Sequence, residues 1–131
     1  MVYNGAKQLD NIERMPADLM EELAQSGVKY TPEDVLMVTK NSDGDLLWLE
    51  TGNEDAGLTH ILRRHEGDFE NCGIEKEKIP ELLSEVLKTD PVKTINNKRG
   101  PNNIYTYNGQ HYLVAYGANG YIVSFYPYTV D

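Results

Sequence analysis

The side chains best suited to chemistry lie in one short segment, residues 60–65, which reads HILRRH. On a helix, Arg63 and Arg64 follow His60 by three and four residues, so both are its neighbours on the helix surface. A histidine carries protons near neutral pH, and fixed arginine charges stabilise the negative charge of a phosphorane. The segment therefore holds the groups that cleavage of a phosphodiester needs.

The second histidine of this segment is harder to place. His65 lies roughly 140° around the helix from His60, so the two share a site only if the helix frays near Glu66 and Gly67. The simpler interpretation is one packed, hydrogen-bonded histidine, with the arginines in surface ion pairs with Glu66 or Glu70. The spacing also differs from the H-E-x-x-H pattern of zinc peptidases, so no metal and no cofactor are expected.

Three further candidates lie near the end of the chain. Ser124 and Tyr126 are two residues apart, so on a strand both point to the same face. They could hydrogen-bond a scissile phosphate or orient a catalytic histidine. Residues of these types more often have a structural role only, as a tyrosine at the edge of the core and a serine small enough for its position. His111 is another proton carrier, with a solvent-facing strand histidine as its simpler explanation.

The charge is unevenly distributed along the chain. The 131 residues suit one domain, and their net charge of −9 argues against a nucleic-acid binder, because phosphate binding normally needs a basic surface. Residues 1–57, however, carry 4 basic and 12 acidic side chains, whereas residues 58–131 carry 8 and 9. The second half is therefore compatible with an anionic substrate, and its Lys93, Lys98 and Arg99 are candidate contacts to that substrate.

Several classes of protein are excluded by simple features of the sequence. The single cysteine, Cys72, rules out an internal disulfide and multi-cysteine metal sites. No apolar run approaches the roughly 18–20 residues of a membrane span, and residues 1–11 lack the apolar segment of a secretory signal peptide.

The elements that must position these side chains follow from periodicity and turn signals. The sequence predicts one α+β domain, helices first and an antiparallel meander last. The predicted helices are residues 16–24, residues 56–65 capped by Asp55 and ended by Gly67 or Gly73, and residues 79–87. The predicted strands are residues 35–39, 46–49, 92–95, 104–107, 110–116 and 121–126.

Two Asn-Gly pairs, at 108–109 and 119–120, predict two-residue hairpin turns in the meander. Alternation along the strands then separates two faces. One is bulky enough to pack on helices: Tyr105, Tyr112, Val114, Tyr116, Tyr121, Val123 and Phe125. The other resembles the floor of a site: Thr106, His111, Ala115, Ser124 and Tyr126 around Ile104, Leu113 and Ile122. A slip of one residue in either turn would exchange the faces.

Three stretches of the sequence carry a resemblance to a known family. They are WLETGN at residues 48–53, AGLTHILRRH at 56–65 followed by Asp68-Phe69, and GYIVSFYP at 120–127. Together they resemble the barnase/EndoU/colicin/RelE-like (BECR) nucleases, and more narrowly members at the C-termini of phage proteins and of contact-dependent growth-inhibition toxins. The resemblance covers about residues 46–128. Residues 1–45 match no pattern of the family.

The resemblance implies a fold, an activity and partners. The expected fold has helices on one face of an antiparallel sheet and the active site on the other. The implied activity is that of a metal-independent toxin ribonuclease, often acting on tRNA and neutralised by a cognate immunity protein. Delivery as the C-terminal part of a secreted or cell-surface effector, with action in the target-cell cytoplasm, is implied in the same way. The net charge departs from the family, whose toxins are often basic.

The residue roles expected from the sequence follow. His60 is the general base or acid, with His65 or His111 as its complement, and Arg63 and Arg64 bind the phosphate. Ser124 and Tyr126, which match the Thr/Ser and aromatic positions of the family's last strand, position that phosphate. The expected protein is a monomer. The alternative is an acidic, non-catalytic module that recognises a protein partner, such as an immunity-type protein.

Overall fold

The computed structural model describes residues 15–97 and 100–128, with the backbone alone at residue 97. The helices in this part are α1 (Ala17–Gln25), α2 (Leu58–Asn71) and α3 (Ile79–Leu87), with short 3-10 turns at Pro32–Asp34 and Lys76–Lys78. The strands are β1 (Val35–Lys40), β2 (Leu46–Glu50), β3 (Lys93–Asn97), β4 (Gly100–Tyr107), β5 (Gln110–Tyr116) and β6 (Ile122–Pro127). The fold class is α+β, as the sequence predicts.

The strands form a hairpin and a meander that meet at one point. β1 pairs with β2, and the order β3-β4-β5-β6 makes a four-stranded antiparallel sheet. A single parallel bridge between Trp48 and Tyr121 joins β2 to the start of β6, and the Trp48 N–H donates to the Gly120 carbonyl at 3.0 Å. The two sheets therefore lie edge to edge.

The main core lies between the four-stranded sheet and helices α2 and α3. Phe69 of α2 packs on Phe125 of β6 with ring centroids 5.2 Å apart, and Tyr112 lies 5.5 Å from the same ring. A second cluster joins Leu23 of α1 to Trp48, both fully buried. Burying a side chain of this size contributes about 1.5–3 kcal/mol, so both clusters fix the helices against the strands.

The first of the two predicted turns forms as expected. Tyr107 pairs with Gln110 and Thr106 with His111 across Asn108-Gly109, so the register matches the sequence prediction. Asn108 and Gly109 both have positive φ, at 50° and 78°, which a type I′ turn requires of its two central residues.

The strand pairing predicted next to the second turn is wrong by one residue. Ala115 pairs with Ser124 as predicted, but Tyr116 pairs with Ile122 instead of Val123, because a bulge interrupts the ladder. Ile122 therefore joins the buried core, while Val123 is only partly buried. The chain turns over residues 117–120, where the Gly117 N–H donates to the Tyr121 carbonyl at 2.9 Å, and β2 binds the Gly120 carbonyl from the other side.

The predicted start of the second helix is wrong, whereas Gly73, one of the two predicted ends, is confirmed. Helix α2 begins at Leu58, its N-cap position is Gly57, and Asp55 makes no side-chain cap bond. It continues past Gly67 to Asn71, so Gly73 follows its end. The helix does not fray between residues 60 and 67. No helix among residues 15–97 and 100–128 combines the length and the apolar character needed to span a bilayer.

Candidate active site

The loop that leads into α2 is held by hydrogen bonds to the Asn53 side chain and to β6. The side-chain oxygen of Asn53 accepts hydrogen bonds from two backbone N–H groups of the loop, at 2.8 and 3.2 Å. A Cβ at Gly57 would lie 2.8 Å from the Glu50 carbonyl, so only glycine fits there. The Gly57 N–H donates to the Val123 carbonyl at 3.0 Å. These contacts fix the start of α2 against β6.

His60 projects from the first turn of α2 and is partly buried. Its Nδ1 lies 2.9 Å from the backbone carbonyl of Glu54. Because a carbonyl can only accept, this contact assigns the proton of neutral His60 to Nδ1. The Nε2 lone pair is then free to accept a proton.

His65 lies between a carboxylate and an aromatic ring. Its Nδ1 is 3.0 Å from the Asp68 carboxylate, and its side chain is 21% exposed. The imidazole stacks on the ring of Tyr126, with centroids 4.2 Å apart and planes inclined by 19°. These two contacts orient the ring and leave Nε2 without a partner among the hydrogen bonds of the described residues.

The two histidine rings share one site without any break in the helix. Their centroids are 6.2 Å apart and their planes are inclined by 77°. The prediction that they require a frayed helix is therefore wrong. Imidazole rings extend well beyond Cβ and helical side chains lean toward the N-terminus, so a ring at position 65 can reach back toward position 60.

Tyr126 supports this pair as a neutral phenol. Burial is the main cause that raises its pKa above the ordinary value, and the neighbouring Tyr128 adds to the shift. The hydroxyl therefore keeps its proton at neutral pH and can donate a hydrogen bond.

Ser124 is close by on β6 but bonds to neither histidine. It is 7% exposed, and its Oγ has no hydrogen-bond partner in the described residues. Ile104 and Leu113, on the same face of the sheet, are buried as well. The side chains at the centre of the sheet face that the sequence predicts as the floor of a site are thus buried. The more accessible side chains of that face lie around them.

Ser124→Ala tests whether that hydroxyl is unpartnered. An unsatisfied buried hydroxyl costs about 1–3 kcal/mol, so we expect the substitution to leave the free energy of unfolding unchanged or to raise it by about 1 kcal/mol. Urea denaturation measures this change. A decrease of 1 kcal/mol or more would show that the hydroxyl is hydrogen-bonded in the folded protein.

The arginines lie on the exposed side of α2. Arg63 forms an ion pair with Glu54, with exposed fractions of 60% and 72%. The acidic partner comes from the preceding loop, whereas the sequence suggested Glu66 or Glu70. Both arginines, with Glu54 and Asp55, line an open concavity of about 390 Å³.

The remaining predicted residues are not part of this group. His111 Nδ1 lies 2.8 Å from the Thr106 hydroxyl across the strands, and its ring makes no stacking contact with the other histidines in the described part of the chain. Lys93 is exposed on β3, three strand spacings or about 14 Å from β6. Lys98 and Arg99 lie outside the described residues.

Two contributors to the site were missed in the sequence. Asp68 follows His65 by three residues, a spacing that places two side chains together on a helix, so the pair was detectable. Glu54 reaches both His60 and Arg63 from a loop, and no periodic signal marks such a contact. Among the described ranges, no group of three or more His, Cys, Asp or Glu is arranged to hold a metal ion.

No protein-family model matches the chain, and no curated protein matches it either. Function is therefore inferred from the side chains of the site and from the motifs around them.

Proposed function

We propose that the chain is an endoribonuclease that cleaves RNA without a metal ion, by attack of a ribose 2′-OH on the adjacent phosphate. The observation that carries this proposal is the pair of histidine rings 6.2 Å apart, each with Nδ1 engaged. Proton transfer needs a heavy-atom distance of about 2.6–3.2 Å. Because the two rings are neighbours, one phosphodiester can bind against both of them, with one Nε2 at the 2′-OH and the other at the leaving 5′-oxygen.

The partners of the two histidines suggest which one accepts the proton. His60 faces a neutral carbonyl and offers an Nε2 lone pair, which suits a general base. His65 faces the Asp68 carboxylate, which forms a charge-assisted hydrogen bond with the ring when it is protonated, as a general acid must be at the start. Stacking on Tyr126 fixes the ring further.

The reaction follows from these roles. The 2′-oxygen bonds to phosphorus as its proton moves to His60. The P–O5′ bond breaks, and His65 gives its proton to the leaving 5′-oxygen, so the upstream fragment ends in a 2′,3′-cyclic phosphate. Arg63 and Arg64 stabilise the charge on the phosphorane. Tyr126 positions the phosphate from β6, whereas the Ser124 hydroxyl is buried and does not reach it in this arrangement.

The distances favour His65 over His111 as the complement of His60. The His65 ring lies next to His60, whereas the His111 ring makes no ring contact with His60 in the described part of the chain. His111, Lys93, Lys98 and Arg99 are proposed as contacts to more distant parts of the RNA.

The biological setting belongs to the same proposal and is supported by the motif resemblance alone. tRNA is the proposed substrate, and a cognate immunity protein is the proposed partner. Delivery as the C-terminal part of a secreted or cell-surface effector would bring the protein to the target-cell cytoplasm.

Cleavage in the presence of a chelator tests the proposed function. The purified chain is incubated with total RNA in excess EDTA, beside a His60→Ala preparation made in the same way to detect contaminating nucleases. We expect cleavage by the unmodified chain to continue, because two proton carriers and fixed cations suffice for the reaction. Activity lost on chelation and restored by magnesium would overturn the mechanism.

A further inference from the structure

Glu54 contacts two members of the candidate site through two different groups. Its backbone carbonyl lies 2.9 Å from His60 Nδ1, and its carboxylate forms the ion pair with Arg63. The carbonyl belongs to the loop that Asn53 and Gly57 hold in place. The carboxylate is 72% exposed and can leave Arg63 by rotation of its side chain, while the carbonyl stays where it is.

We propose that the Glu54 carboxylate occupies, in the free protein, the place on Arg63 that a substrate phosphate takes, and thereby limits the affinity of the site for phosphodiesters. The inference that this phosphate belongs to RNA rests on the proposed function. A carboxylate and a phosphodiester each carry one negative charge and accept hydrogen bonds from a guanidinium. When a phosphodiester replaces the Glu54 carboxylate, Arg63 therefore keeps both a negatively charged partner and a hydrogen-bond acceptor. Glu54 is a positioning residue and takes no part in proton transfer.

The charges that line the concavity support this exchange. Arg63 and Arg64 face Glu54 and Asp55 there, so two positive and two negative groups cancel before a ligand arrives. Removing the carboxylate of Glu54 would leave an excess of one positive charge. Because an exposed ion pair contributes little to stability, a phosphate can displace this carboxylate at small cost.

Glu54→Gln tests the proposal, with Glu70→Gln as the matched control. Glu70 is exposed on the same helix and makes no ion pair in the described part of the chain, and both variants change the net charge equally. The probe is a fluorescent oligoribonucleotide with 2′-O-methyl groups, which cannot be cleaved by 2′-OH attack. We expect Glu54→Gln to bind it about 2- to 5-fold more tightly than Glu70→Gln at low salt, with the difference shrinking as salt is added.

A kinetic measurement separates this role from a structural one. The carbonyl that orients His60 remains in Glu54→Gln, so we expect KM for RNA to fall while kcat stays unchanged. Equal binding by the two variants, or weaker binding by Glu54→Gln, would overturn the inference. So would a failure of Glu54→Gln to bind either the oligonucleotide or inorganic phosphate.

The binding assay also distinguishes this inference from the proposed function. If the unmodified chain cleaves no RNA but Glu54→Gln still binds the probe more tightly, the phosphate site stands and the ribonuclease mechanism fails. If the unmodified chain cleaves RNA and the two variants bind alike, the ribonuclease mechanism stands and the role of Glu54 fails.

Discussion

His60→Ala is expected to lower the rate of RNA cleavage by about 10²–10⁴-fold, the contribution of a positioned proton carrier. The substitution removes the Nε2 lone pair that accepts the 2′-OH proton. It leaves the core intact, because His60 belongs to neither buried cluster of the fold. Initial rates on a defined RNA, measured beside a thermal melt of each protein, check both parts of this expectation.

Two companion variants make the result specific. Glu70→Ala shortens an exposed side chain on the same helix and is expected to keep the full rate. His65→Ala is expected to be inactive as well, since it removes the proposed acid and its stacking contact with Tyr126. If His60→Ala and His65→Ala both retain full activity while remaining folded, α2 is not the catalytic element.

Two glycine substitutions in or beside α2 are expected to change stability in opposite directions. Gly57 has φ 89° and ψ −166°, a region that essentially only glycine adopts, and an added Cβ would lie 2.8 Å from the Glu50 carbonyl. We expect Gly57→Ala to lower the free energy of unfolding by about 3 kcal/mol, through backbone strain and overlap. Cleavage should fall too, because the loop that carries Glu54 moves.

Gly67→Ala is the matched control for that change. Gly67 lies within α2, and a Cβ there would meet nothing within 4 Å. Alanine loses less backbone entropy than glycine on folding, so this variant is expected to gain about 0.5–1 kcal/mol. Urea denaturation of both proteins measures the two changes. A stable, active Gly57→Ala protein would show that the loop tolerates a side chain at this position.

The parts of the fold predicted correctly are those set by local chemistry. Asn108 and Gly109 are residue types that readily adopt the positive φ that this turn requires. The register between β4 and β5 therefore follows from the sequence. The apolar spacing of residues 79–87 gives α3 with its observed bounds. Neither feature depends on a distant part of the chain.

The errors arise where a distant segment decides the local structure. Asn119-Gly120 has the same turn signal, but the turn spans residues 117–120, the Gly120 carbonyl accepts from the Trp48 N–H of β2, and the pairing at the start of β6 is shifted. Similarly, the His65 ring stacks on Tyr126, which is 61 positions further along the chain. Helical angle alone contains no information about such a contact.

The chemical nature of the fragment ends tests the central claim most directly. A short RNA is cleaved by the purified chain in EDTA, and the products are identified by mass spectrometry, with the same RNA carrying a single 2′-deoxyribose at the cleavage site as a control. We expect a 2′,3′-cyclic phosphate on the upstream fragment, a 5′-hydroxyl on the downstream fragment, and no cleavage at the deoxyribose. Fragments with 3′-hydroxyl and 5′-phosphate ends, or cleavage at the deoxyribose, would contradict the account.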